Sequence, residues 1–208
     1  MRDSGKRGLE ASLSACHTLN RNCHQVDPMR ILAQLLLALT FALPLDARPL
    51  SEAEAKGLDK AVATYLRATM SKDAEKVVGT IPPRILNVFA GTAGIEAKDV
   101  QKTLIAQTKE LMKTTEITGF VAAPGPYEGN DATLADATVV VWAVVPTQFT
   151  AEANGAKTLN HQPLFAVLEA DKWYFSRIDG PQQQQIVGFA YPFIATATLP
   201  ASSSQPEP

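Results

Sequence analysis

Cysteine is almost missing from this chain: two residues in 208, Cys16 and Cys23, both ahead of Met29. A chain that begins beyond them has no disulfide, no thiol nucleophile and no cysteine-held metal. It also lacks the cysteine that a lipid anchor needs directly after an export signal. Histidine is as scarce, with His161 alone beyond Met29. Clustered cations are missing too, since after Ala47 the chain carries 14 Lys and Arg, evenly mixed with 17 Asp and Glu. Phosphate backbones are bound by clustered cations that displace counterions, so nucleic acid is excluded as a partner, and no polybasic block offers a membrane surface a handhold. Gly91-Thr92-Ala93-Gly94 lacks the lysine and the spacing of a phosphate-binding loop, and Gln182 to Gln185 is too short to act as a polyglutamine tract.

What is present is ordinary globular material, 46% apolar and 19% charged, enough to bury one core. Ahead of it, Met29-Arg30 is followed by thirteen nearly continuous apolar residues, Ile31 to Leu43, and then by Pro44-Leu45-Asp46-Ala47. A short basic start, an apolar run and a small residue after a helix breaker are the parts of a secretory signal, with cleavage expected after Ala47. The run would span roughly 20 Å as a helix against the about 30 Å of a bilayer core, so no stable membrane span is expected after cleavage. The product would be periplasmic or secreted. Met1 to Pro28 does not fit a signal's own basic region, and a start assigned too far upstream accounts for it. Its Cys16-His17 and Cys23-His24 pairs are zinc-ligand types, but no hydrophobic periodicity surrounds them to build a scaffold, so neither metal nor cofactor is expected.

The remainder, 48 to 195, reads as a single domain, with a disordered tail from Thr196 to Pro208. Ser51-Glu52-Ala53-Glu54 is a capping box that opens a helix, and Leu58, Val62, Tyr65, Leu66 and Thr69 give it one buried stripe to about Met70. Lys72 to Val78 forms a short helix stopped before Pro82-Pro83. Arg84 to Ala90 forms another, ended by Gly91 and Gly94. Glu96 to Lys113 forms a longer one with Val100, Leu104, Thr108 and Leu111 on one side. Strands follow: Thr115 to Ala123, a loop from Pro124 to Asn130, a long buried strand from Ala132 to Val145, and a turn at Asn154-Gly155. Pro163 to Glu169 and Trp173 to Asp179 are then joined through Ala170-Asp171-Lys172. Gly180 to Pro192 is ambiguous between strand and turn. Helices first and antiparallel strands later predict an α+β fold, its N-terminal helices packed on a curved antiparallel sheet in a cone-like roll.

This order of elements, with the hairpin Phe165 to Phe175 and its Glu169-Ala170-Asp171-Lys172-Trp173 turn, resembles the cone-shaped superfamily of nuclear transport factor two and ketosteroid isomerase, in particular its small exported members (SnoaL-type) of unknown function. The resemblance covers about Ser51 to Tyr191 and implies a leading helix over a curved sheet enclosing a cavity. No residues match the paired acid and tyrosine of the isomerase members.

Two functional classes follow. In the first, the domain is a binding module without catalysis, taking a small apolar ligand in a cavity lined by Trp142, Phe165, Trp173 and Phe175, or offering its sheet face to an envelope protein or to a second copy of itself. In the second it is a small lyase or isomerase. Asp136, placed in an apolar strand where burial would raise its pKa, would then act as base with Tyr65 or Tyr127, and His161 is a further acid-base candidate. Arg177 and Asp179 read as a solvated or ion-paired face beyond Trp173.

Overall fold

The computed structural model describes residues 47–207; the leader and nearly all of the signal lie outside them, as does Pro208. Strand β1 (Arg48–Pro49) precedes four helices: α1 (Glu52–Met70), α2 (Ala74–Val78), α3 (Pro83–Ala93) and α4 (Ala97–Thr114). Strands β2 (Thr115–Ala122), β3 (Glu128–Thr133), β4 (Val139–Ala153), β5 (Ala156–Glu169) and β6 (Lys172–Arg177) follow. Helix α5 (Pro181–Ala190), a 3-10 helix (Pro192–Thr196) and β7 (Ser203–Pro206) complete the described chain. The fold is α+β, with the four leading helices packed against an open antiparallel sheet of seven strands.

The sheet is built on one long hairpin, β4 and β5, in register from Val141 opposite Leu168 to Ala153 opposite Ala156. Each outer flank carries two short strands end to end: β3 and β2 along β4, β6 and β7 along β5. Pro146 faces Pro163 in the middle of this hairpin. Proline is tolerated there because a strand residue directs its N–H and C=O to the same side, and the Pro146 carbonyl accepts from Ala123 N on the outer flank. The missing Pro146 N–H therefore falls at the end of β2, where the Ala123 carbonyl that it would have met accepts from the Tyr127 hydroxyl instead. For the same reason β4 runs on to Ala153, past the Val145 end expected from sequence.

Side chains alternate across the sheet, so each strand feeds two cores. Ala143, Val145, Leu164, Ala166, Trp173 and Phe175 meet Leu58 and Val62 of α1 on one face. Val140, Trp142, Phe165 and Val167 meet Ile85, Val187, Tyr191 and Ile194 on the other. The capping box of α1 forms as read, Glu54 N donating to Ser51 Oγ while Ser51 N donates to the Glu54 carboxylate. Gly57 lets the helix approach the sheet: a Cβ there would sit 3.3 Å from the Trp173 indole, whose Nε1 donates to the Glu54 carbonyl at 3.2 Å. Near α3, Phe175 N donates to Thr80 O at 2.7 Å, which occupies the outer edge of β6 and closes it to further strand pairing.

Several expectations are corrected. Gly91 lies inside α3, and Gly94 alone ends it, in the left-handed conformation at φ 66°. The side expected to pack on α4 is only partly buried: Val100 is buried and Leu104 partly so, while Leu111 is largely exposed. Glu128 to Asn130 is strand rather than loop, and the single strand expected from Ala132 is broken by a turn at Leu134–Thr138, with Ala137 at φ 63° in a position where glycine is usual. Gly180 to Pro192 is helix: Pro181 stands at the first helical position, where its fixed φ fits and no donor is lost. The tail expected to be disordered contains β7, paired from Thr158 opposite Pro206 to His161 opposite Ser203.

Candidate functional site

A cavity of about 190 Å³ opens between the helices and β6, beside the edge that Thr80 covers. Its walls are largely apolar, with Tyr65 on α1, Ile85 and Phe89 on α3, Leu164 on β5, Phe175 on β6, and Ile186 and Val187 on α5. Val77 and Ile81 close it from α2 and the following turn. The Tyr65 ring packs against Phe175 at 5.5 Å between centroids and edge-on to Phe120 at 5.9 Å. Burial pushes the Tyr65 phenol pKa up, with the Arg177 charge opposing, so at neutral pH the hydroxyl stays protonated and neutral.

A few polar side chains also line this cavity. Arg177, with Ser176 and Gln183, lines it. The Arg177 guanidinium donates through NH2 to Asp179 Oδ2, which also accepts from Gln162 Nε2 at 3.0 Å. The second oxygen, Asp179 Oδ1, is buried and has no partner among the described residues. Asp179 sits at the gap between β6 and β7, where the chain leaves the sheet; the gap itself is what gives its carboxylate access to Gln162 on β5. The ion pair was legible in the sequence as a class of contact. Its place at a cavity was not, because α5 and the Thr80 edge contact that form the opposite wall were not.

A second, more open cavity of about 600 Å³ lies along β3 and β4, lined by Tyr127, Asn130, Trp142 and Pro146 and by the segment Thr196 to Pro200. The Tyr127 hydroxyl donates to the Ala123 carbonyl, which ties the ring to the β2–β3 loop, and partial burial raises its pKa.

The sequence-derived candidates are thus distributed. Tyr65 and Phe175 line the helix–sheet cavity; Tyr127 and Trp142 line the open one. Phe165 is wholly buried in the core, and Trp173 anchors α1. Asp136 and His161 line neither cavity. Asp136 stands in the Leu134–Thr138 turn rather than in an apolar strand. Arg84 NH2 at 2.7 Å and Thr138 N at 3.1 Å bind its carboxylate. These bonds lower its pKa to about 2, the reverse of the rise expected for a buried base. His161 is exposed on β5 between Gln148 and Ser203.

Among the described residues no group of three or more His, Cys, Asp or Glu is placed to hold a metal, and no helix is long and apolar enough to cross a membrane. Set against known protein families, curated proteins and solved structures, the chain matches none of them.

Proposed function

We propose that the domain is an exported binding module that takes a small apolar ligand in the helix–sheet cavity. The observation that carries this reading is the cavity itself. It is a mostly apolar space of about 190 Å³ walled by aromatic and branched side chains, with Thr80, Ser176, Arg177 and Gln183 as its few polar lining residues. An apolar cavity of about 150 Å³ is enough to hold benzene or xenon, and this cleft is of that size and open to solvent on one side, so a small ligand can enter it. The cone superfamily of nuclear transport factor two and ketosteroid isomerase supports the same reading, since helices over an antiparallel sheet around an apolar cavity is its arrangement. Export rests on the Met29 to Ala47 pattern.

The test is thermal denaturation of the full chain with benzene, toluene and cyclohexanol, beside the variant Ile186→Phe, which places a ring in the cavity. Ligand at a hundred times its Kd stabilises by about 2.7 kcal/mol, so Tm should rise by about 5 to 10 °C for a chain of this size. Ile186→Phe should keep the fold and lose the rise. No response to any of the three probes, or an undiminished response in Ile186→Phe, would overturn the proposal.

A further inference from the structure

We infer that the open cavity on β3 and β4 is a second ligand site, built for a neutral, hydroxyl-rich ring of the kind found in sugars. It is independent of the helix–sheet cavity. Trp142, Val144 and Pro146 alternate along β4 with Ala143 and Val145, which face α1, so this cavity opens on the opposite face of the sheet. It arises where β3 and β2 meet end to end beside Pro146. There the connecting loop, Ala123 to Tyr127, leaves the sheet to form one wall, and Thr196 to Pro200 crosses to form the other.

The chemistry of the lining selects the ligand. Among the described lining residues there is no Lys, Arg or His side chain to attract an anion; Ala47 also lines the cavity, so in a chain cleaved after it the Arg48 amino group stands at the rim beside β3, near the Glu128 carboxylate. Glu128 is the one carboxylate, and Asn130, Thr196 and Thr198 add neutral donors and acceptors. Of these, Glu128, Asn130 and Thr198 make no side-chain hydrogen bond among the described residues. Trp142 is buried and lines the cavity, and its Nε1–H, closed off beneath the lining, has no partner among the described residues, so a small turn of the indole toward the cavity would let it donate to an acceptor bound there. A wholly apolar guest would strip water from these groups and return nothing. A sugar ring supplies hydroxyls that accept from the Asn130 amide, donate to Glu128, and offer the turned indole an acceptor. Its C–H face suits the tethered Tyr127 ring and the prolines at 124, 126, 146 and 200. The volume of about 600 Å³ falls within the range of small-molecule sites.

The chain's two tryptophans give the test an internal control, because Trp173 Nε1 is already bonded to the Glu54 carbonyl and Trp142 Nε1 has no partner among the described residues. Isotope-labelled full chain is titrated with glucose and with N-acetylglucosamine while the two indole N–H signals are followed, Trp142→Phe assigning them. The Trp142 signal should move downfield and saturate with a Kd on the order of 1 mM, while the Trp173 signal stays. In Asn130→Ala with Thr198→Val the response should weaken at least about tenfold, the unmoved Trp173 signal reporting an intact fold. No saturable shift of Trp142 with either sugar overturns the inference. So does an unweakened response in the double variant, and so does a shift produced by a proline-rich peptide and not by sugars, which would make the cavity a peptide groove.

Discussion

Arg84 makes the test case for how this fold is held together, because its one side chain ties α3 to two turns of the sheet. Its Nε donates to Glu169 Oε1 at 2.9 Å and its NH2 to Asp136 Oδ2 at 2.7 Å, while the Tyr191 hydroxyl donates to Glu169 Oε1 at 3.0 Å. The two arms are unequal. The Glu169 side chain is 13% exposed and that of Asp136 50% exposed, so the first pair is poorly screened and the second is bathed in solvent. Breaking a fully buried pair from one side costs about 3 to 5 kcal/mol, and an exposed pair contributes about 0.2 to 1 kcal/mol. With the guanidinium itself about one-third exposed, Arg84→Met should cost about 2 kcal/mol and lower Tm by about 4 to 8 °C. Urea unfolding of Arg84→Met, Glu169→Gln and the pair together forms a cycle whose coupling should be about 1.5 kcal/mol, since the double variant leaves no unpaired buried charge. The companion cycle with Asp136→Asn should show a smaller coupling that vanishes in high salt. A Glu169 coupling below about 0.5 kcal/mol, or one smaller than that of Asp136, would refute this ranking by burial.

Other consequences are as direct. Two Arg48 nitrogens bind the Glu54 carboxylate, which together with the Ser51 bonds lowers its pKa from the usual 4.5 to about 2 against the opposing effect of burial. The stability this supplies is complete above pH 4.5 and lost as pH falls toward 2, so the urea midpoints of wild type and Glu54→Gln should converge over that window; a gap independent of pH would contradict the assignment. In the β5–β6 turn Ala170 is held at φ 46° and Asp171 at 61°. Ala170→Gly should therefore stabilise by up to about 1 kcal/mol in the same assay, and a loss would show that the turn is not strained. Intact-mass spectrometry of exported material should give a chain beginning at Arg48, and retention of Met1 would contradict the signal reading.

The helical half of the fold was legible because its signals are local. The Ser51 capping box and the three-four spacing of Leu58, Val62 and Tyr65 carry their meaning within a few residues. The sheet was legible in kind but not in extent. Pro146 reads as an end because the gap that makes it harmless is formed by β2 and β3, strands that pair with β4 from elsewhere in the chain. The Leu134–Thr138 turn was hidden because Ala137 takes the left-handed position without glycine, held there by Arg84 on Asp136. The helix–sheet cavity is half visible in the sequence: Tyr65 and Phe175 lie on elements with clear periodicity, but Ile186 and Val187 belong to a helix whose Gly180 to Pro192 segment has no clear period, and the apolar residues around Asp136 suggest a burial that the turn does not give it.

The most direct test of the central claim is a crystal of the protein held under xenon pressure. The account predicts xenon density in the space between Ile85, Phe175 and Val187, with the surrounding side chains where they are now. A cavity filled by repacked side chains, or occupied by ordered water that xenon does not displace, would contradict it.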